Sequence, residues 1–324
     1  MLKYSFFIKN KFVCYNVFIF CHVETVINLL SELNNIQKGG ISLDQTQDSK
    51  FEDSFLPMSS IGSGIGVAVV PDVYCYTDQI VNLVLVGNPS ETSEFVLIDT
   101  GMPKSAEQIK NMIHKRFGES AIPKAIILTH GHFDHVGSIA ALLEDWDIPV
   151  YAHEQELPFL TGKEDYPPGD PNVDSGLVAK MSPLFPNHGI DISAHVQPLP
   201  SDGTVHNMPG WKYIHTPGHT PGHISLFREQ DRILIAGDAF VTVKQESLYK
   251  VLTQTQEISG PPRYYTTDWE AAYESVKKLE ALKPQLAVTG HGVPMSGKEL
   301  STSLQYLVEH FNEMAKPESG KYVN

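Results

Sequence analysis

The chain has 324 residues, 41% of them apolar and 19% charged, a globular balance that permits one large domain or two smaller ones. Its formal net charge of −14 argues against a nucleic-acid binder, which needs a basic footprint to neutralise phosphates. Three cysteines, Cys14, Cys21 and Cys75, supply neither a disulfide framework nor a thiolate metal site.

The N-terminus carries Lys3, Lys9 and Lys11 ahead of an apolar run from Phe12 to Cys21, the outline of a secretory signal. Asn16 interrupts that run, and His22 and Glu24 close it after about ten residues, too few to span a bilayer. No Ala-x-Ala cleavage site follows, so a peripheral helix or an upstream extension is favoured, and with it a cytoplasmic location. A working signal would instead direct the protein to the periplasm or beyond. From Gly39 to about Pro57 the chain turns polar, as a linker does. Residues 1–60 therefore read as a weakly structured extension, and 61–324 as the folded domain.

Val67–Val70, Val73–Tyr76 and Ile80–Val86 are short β-rich runs separated by turn residues. Phe95–Ile98 is a further strand, ending at Asp99-Thr100-Gly101, and a helix is predicted over Ser105–Phe117. The strand Lys124–Leu128 empties into Thr129-His130-Gly131-His132-Phe133-Asp134-His135. A helix follows over Val136–Glu144, with Ile139, Leu142 and Leu143 on one face, and then a strand at Val150–Ala152. From Leu157 to Pro200 the chain is Pro- and Gly-rich with little regular pattern, which suits a substrate cap or a tolerated surface insertion.

The second half repeats the theme of a strand running into a loop. Trp211–His215 leads into Thr216-Pro217-Gly218-His219, and Ile224–Phe227 with Arg232–Ala236 forms a hairpin ending at Gly237-Asp238. Thr267-Asp268-Trp269-Glu270 reads as a capping box for a helix whose stripe is Ala272, Tyr273, Val276, Leu279 and Leu282, stopped by Pro284. Leu286–Thr289 empties into Gly290-His291-Gly292, and a last helix runs from about Gly297 to Ala315. Alternating strands and helices with hairpins mixed in predict mixed sheets.

His130 and His132, two apart at a strand end, can point to one side, while Asp134 and His135 open a helix and address a neighbouring position. Gly131 allows a tight backbone turn between them. Imidazole nitrogen and carboxylate oxygen are ligands that Zn²⁺ takes, and four such residues within six positions point to metal. His215, His219 and His223 are spaced by four, but the intervening Pro and Gly exclude one helix carrying all three. Asp238 has two oxygens with which to bridge two cations, and His291 completes the set. His153, His188, His195 and His206 read as surface or loop residues.

Taken in order, His130-x-His132-x-Asp134-His135, Thr216-Pro217-Gly218-His219, Gly237-Asp238 and Gly290-His291 resemble the metallo-β-lactamase superfamily over roughly residues 65–315. Asp99, in Leu97-Ile98-Asp99-Thr100-Gly101, matches the family's upstream aspartate. The resemblance implies an α/β fold, a four-layer αββα sandwich of two mixed β-sheets flanked by helices, with the site at one edge between the sheets. It implies two divalent ions, Zn²⁺ favoured. His130, His132 and His219 would hold the first, Asp134, His135 and His291 the second, with Asp238 between them. Asp99 would steady the loop, and His223 would lie behind the ligands.

The activity implied is that of a dinuclear hydrolase using a metal-bridging hydroxide, with Asp134 accepting or passing a proton. The insert at about 157–200 and the complete ligand set are similar to the quorum-quenching lactonases, so a carboxylic ester or lactone of the N-acyl homoserine type is favoured. Those enzymes carry a tyrosine three residues after the bridging aspartate; here Val241 stands there, preceded by Phe240. Tyr264 or Tyr265 is the replacement candidate, and Phe159 and Phe240 join them as candidate substrate contacts, with Leu160, Leu184 and Phe185 as pocket wall. The stretch from Thr216 to His223 also resembles glyoxalase II thioesterases, but a basic cluster for a glutathione tail is not evident. A β-lactamase or phosphodiesterase-like activity is a further alternative. A di-iron redox relative would need a glutamate in the histidine loop and a flavin domain. The expected partner is a small-molecule substrate, with no nucleic acid and no stable membrane span; a homodimer is left open.

Overall fold

The computed structural model describes residues 59–323, so the signal-like run, the polar linker, Cys14 and Cys21 lie outside the described residues. The described chain forms two mixed sheets. The first has seven strands in sequence order: β1 (Gly66–Val70), β2 (Val73–Asp78), β3 (Val81–Val86), β4 (Val96–Ile98), β5 (Ile126–Ile127), β6 (Val150–Ala152) and β7 (Val196–Pro198). Its strands pair antiparallel up to β4 and parallel from β4 to β7. The second sheet is built from β8 (Trp211–His215), β9 (Ile224–Arg228), β10 (Ile233–Gly237), β11 (Leu286–Thr289) and β12 (Met295–Ser296), in the order β12-β11-β10-β9-β8.

Alternation of side chains along the strands builds the layers. In β3, Val84 and Val86 join Val73, Ile98 and Ile127 in a core that also holds Leu226, Ile233, Ile235 and Val288 of the second sheet. This is the seam where the sheets pack face to face. Leu83 and Leu85 point the other way, onto Ile109 and Ile113 of α1 (Ala106–Phe117). The short helices α2 (Phe133–Val136) and α3 (Ile139–Asp145) lie in the same layer through Val136, Ile139 and Leu142. Two further short helices, α4 (Leu157–Leu160) and α5 (Leu177–Met181), belong to the Pro-rich region, and α6 (Leu248–Thr253) follows β10. On the outer face of the second sheet, Phe227, Leu234 and Ala236 meet Val276 and Leu279 of α7 (Trp269–Ala281) and Leu300, Leu304 and Leu307 of α8 (Gly297–Glu309). The arrangement is the four-layer αββα sandwich.

Several elements differ from the sequence reading. The helix predicted over Val136–Glu144 is broken between α2 and α3, because the Ser138 hydroxyl donates to Met102 O at 2.6 Å and accepts from Ser105 N at 2.9 Å, fixing the chain there. The cap of α7 is Asp268, whose carboxylate accepts from Ala271 N at 2.9 Å, one residue beyond the predicted Thr267. The last helix stops at Glu309 and resumes as α9 (Phe311–Met314). Within the Pro-rich region, Val196–Pro198 adds a strand to the first sheet beside β6, so its C-terminal part is sheet rather than irregular loop.

Parallel pairing is what assembles the site. Because β4 and β5 run parallel, Asp99 and the histidine loop leave the first sheet at one edge. Because β10 and β11 run parallel, Asp238 and His291 leave the second sheet together. Hydrogen bonds between the sheets fasten these edges: Asn82 N donates to Gly290 O at 2.7 Å, and Ile224 N to Thr129 O at 2.9 Å.

Candidate metal centre

His130, His132, Asp134, His135, His219, Asp238 and His291 converge at this edge, all buried. Their ligand-type atoms form three overlapping groups, each lying within 4.8 Å: His130 with His132 and His219, His130 with His135 and Asp238, and Asp134 with His135 and His291. His132 Nδ1 lies 3.0 Å from His219 Nε2. Asp238 sits in the middle, with Oδ1 3.6 Å from His135 Nε2 and Oδ2 3.6 Å from His219 Nε2 and 3.3 Å from His291 Nε2.

The outward-facing nitrogen of four imidazoles is held by a protein oxygen. His135 Nδ1 meets Asp99 Oδ2 at 2.9 Å, His291 Nδ1 meets Ile80 O at 3.0 Å, and His219 Nδ1 meets Thr266 Oγ1 at 3.2 Å. His130 Nδ1 lies 3.1 Å from Thr129 Oγ1, which itself donates to Asp99 Oδ2 at 2.7 Å. Nδ1 thus carries a proton in each, so Nε2 is the nitrogen turned inward, and it offers a lone pair to a cation once any proton there is displaced. Inside, His130 Nε2, His135 Nε2 and Asp238 Oδ1 are buried without a hydrogen-bond partner. Unpaired buried acceptors are costly, and several aimed at one space fit a cation there.

Charge follows the same geometry. Burial, reinforced by neighbouring imidazoles, holds His130 and His219 well below the ordinary histidine range. Burial would also lower His291, but the carboxylates of Asp238 and Asp134 outweigh it and raise it to about 10. Burial would raise Asp238, yet His291 and His135 overcome it and keep the carboxyl well below its usual range. The cluster is therefore built to hold its carboxylates ionised against positive charge.

His223 stands behind the ligands. Its Nε2 accepts from the Asp238 backbone N–H at 2.9 Å and its Nδ1 lies 2.9 Å from Thr216 Oγ1, so no nitrogen is left for a metal. Tyr265 stacks on His132 with ring centroids 4.5 Å apart, and Tyr264 packs edge-on against Tyr265 at 5.1 Å. Two other expected substrate contacts lie elsewhere. Phe240 has no exposed surface and packs in the outer core with Trp269, Leu304 and Phe311, so it cannot meet a substrate. Phe159 stacks on Tyr166 at 4.0 Å, and it is Tyr166 whose ring faces His132, so Phe159 is one layer back. Leu160 is in the core beneath α1, and Leu184 is exposed. His153 and His215 stack on each other at 4.0 Å, apart from the cluster.

Sequence reasoning missed Tyr166, Thr266 and above all Glu156. Glu156 has no exposed surface and accepts hydrogen bonds from both histidine loops. In sequence it stands in the unremarkable run Glu154-Gln155-Glu156, and only its burial distinguishes it.

Residues 76–291 match the model of the metallo-beta-lactamase superfamily. The chain is 54% identical over 262 residues to the probable metallo-hydrolase YflN of Bacillus subtilis (strain 168), an alignment covering 81% of this chain and 99% of that one. It is 34% identical over 198 residues to the probable metallo-hydrolase YybB of the same organism, covering 60% and 74% of the two chains. Over a shorter region of 122 residues, 36% of this chain and 49% of the other, it is 28% identical to the hydroxyacylglutathione hydrolase GloC of Haemophilus influenzae. Among solved structures, BJP-1, a subclass B3 metallo-β-lactamase of Bradyrhizobium japonicum, shares the fold with a TM-score of 0.53 at 21% identity, covering 79% of this chain and 94% of that one.

Proposed function

The chain belongs to the metallo-β-lactamase superfamily, and from that premise we propose that it is a dinuclear metal-dependent hydrolase of uncharged carboxylic esters, lactones above all, with Zn²⁺ as the favoured metal. The observation that carries this reading is the inward convergence of the seven ligand-type side chains with buried, unpartnered acceptor atoms among them. His130, His132 and His219 would hold one ion, Asp134, His135 and His291 the other, with Asp238 shared. Two divalent cations bound there supply Lewis acidity and a water acidified to a pKa of about 7.

The chain's own groups do the rest. Asp134 is the most exposed of the seven at 8%, so it is the one among them that solvent reaches most. Burial would raise it, but His135 and His291 keep it below the usual carboxylate range, so it is ionised, and in this reading it would accept or pass the proton. Tyr166 and Tyr265 pack against His132 and exclude water from that side. Burial, and then Asp134, push the Tyr264 hydroxyl well above its ordinary range, which keeps it a neutral donor for a substrate oxygen.

An uncharged acyl substrate is favoured because this roof is aromatic and its cation is engaged. Arg263 donates to Asp174 at 2.9 Å and to the carbonyls of Met314 and Ala315, each at 2.8 Å. A second reading, thioester hydrolysis of the glyoxalase II type, draws on the similarity to GloC. The test is turnover by purified, metal-loaded protein of an N-acyl lactone, an S-acyl glutathione thioester, a β-lactam and an aryl phosphodiester. Lactone turnover should dominate. A thioester preference would select the second reading, and phosphodiester turnover alone would overturn both substrate assignments.

A further inference from the structure

Resting on the reading of His130, His132 and His219 as ligands of one ion, we infer that Glu156 is a positioning residue that holds these three imidazoles in register. The three come from two loops far apart in the chain. His130 and His132 flank Gly131 after β5, and His219 lies in the turn between β8 and β9. One carboxylate grips both. Its Oε2 accepts from Gly131 N at 3.1 Å and from the Tyr166 hydroxyl. Its Oε1 accepts from the Thr220 hydroxyl at 2.5 Å and from Gly222 N at 2.8 Å. A fully buried carboxylate with four donors is a rigid clamp: burial raises its pKa, the four donors oppose that, and losing any contact leaves a buried polar group without its partner.

The glycines are fitted to it. A Cβ at Gly131 would lie 2.5 Å from the Tyr166 hydroxyl, and one at Gly222 would lie 2.6 Å from Glu156 N. Gly131 is not in the left-handed region, so it serves close approach rather than the tight turn its sequence suggests. Tyr166 adds a second restraint: its hydroxyl accepts from Gly131 N at 3.1 Å, while its ring packs against His132 with centroids 4.6 Å apart. Asp134, His135 and His291 receive no contact from Glu156, so the clamp addresses one of the two ligand sets.

That asymmetry supplies the test. In Glu156→Gln an amide NH₂ must replace one oxygen and face two donors. Zn²⁺ affinity is measured by chelator competition in two backgrounds: His291→Ala, which leaves the His130/His132/His219 set intact, and His219→Ala, which leaves the Asp134/His135/His291 set. Adding Glu156→Gln should weaken the first by about ten- to a hundredfold and leave the second unchanged. Tyr166→Phe and Thr220→Val, which each remove one donor, should weaken the first set by a smaller factor, and they carry the test if Glu156→Gln does not fold. Unchanged affinity in all three, or equal loss in both backgrounds, overturns the inference. A wild-type chain that binds no Zn²⁺ sinks the metal reading and this inference with it. Two tightly bound ions with an indifferent Glu156 sink the inference alone.

Discussion

Asp99 and His135 form the contact on which the loop geometry turns: Asp99 Oδ2 lies 2.9 Å from His135 Nδ1. The same oxygen accepts from the Thr129 hydroxyl, which in turn meets His130 Nδ1, so one carboxylate orients two imidazoles. Asp99 does this from a left-handed backbone, with φ of 57°. Aspartate and asparagine tolerate that region better than other side chains.

Two substitutions at Asp99 therefore separate backbone from charge. Asp99→Asn keeps a side chain suited to the left-handed conformation but loses the charge, and should lower kcat/KM and metal affinity by about ten- to a hundredfold with little loss of stability. Asp99→Ala should be less stable still, because backbone strain of roughly 1–2 kcal/mol adds to the loss of the acceptor for Thr129 N and its hydroxyl. Urea denaturation beside metal titration resolves the two effects; equal stability of the two variants would refute the strain argument.

Cys75 lies in the seam between the sheets, and burial pushes its thiol up from the ordinary 9.0 to about 12. Below pH 9 the thiol is protonated whether the chain is folded or not, and its contribution to stability is fully present. As pH rises from 9 toward 12 the unfolded chain ionises while the folded one resists, so stability should fall by up to about 1.4 kcal/mol per pH unit. Cys75→Ala should flatten this alkaline loss in melts recorded across that range. In the native protein at pH 8, mass spectrometry after iodoacetamide treatment should find Cys75 unmodified.

Phe240 and Tyr264 should respond oppositely to small changes. Phe240→Leu alters the outer core and is expected to cost roughly 1 kcal/mol of stability while leaving KM unchanged. Tyr264→Phe removes only the hydroxyl proposed to meet the substrate and should lower kcat/KM about a hundredfold with stability retained. Steady-state kinetics and thermal melts on both variants decide the matter, and a raised KM in Phe240→Leu would return that ring to the substrate pocket.

Removing metal should destabilise the fold as well as abolish turnover. The cation reading leaves buried acceptors unpaired in the stripped protein, and binding adds about 2.7 kcal/mol when free metal stands at a hundred times its Kd. Dialysis against a chelator should lower Tm, and Zn²⁺ should restore both Tm and activity. A melt indifferent to chelator would speak against a metal pair at this edge.

The amino-acid sequence by itself determined the superfamily, the layers and the candidate ligands. Strand periodicity is local, and a ligand set recurring at strand ends needs no coordinates to be noticed: His130, His132, Asp134, His135, His219, Asp238 and His291 all stand in or just after such endings. Only the tertiary structure decided which neighbours serve them. Phe240 follows Asp238 by two positions, but beyond the end of β10 the two-residue alternation no longer dictates direction, and its ring turns into the core with Trp269. Val196–Pro198 became sheet because β6 offered an open edge, a partner 46 positions away at Ala152↔Pro198 and its neighbours being invisible to local pattern. Glu156 acquired its role from four donors in three separate segments, and burial of that kind exists only once the chain has closed around it.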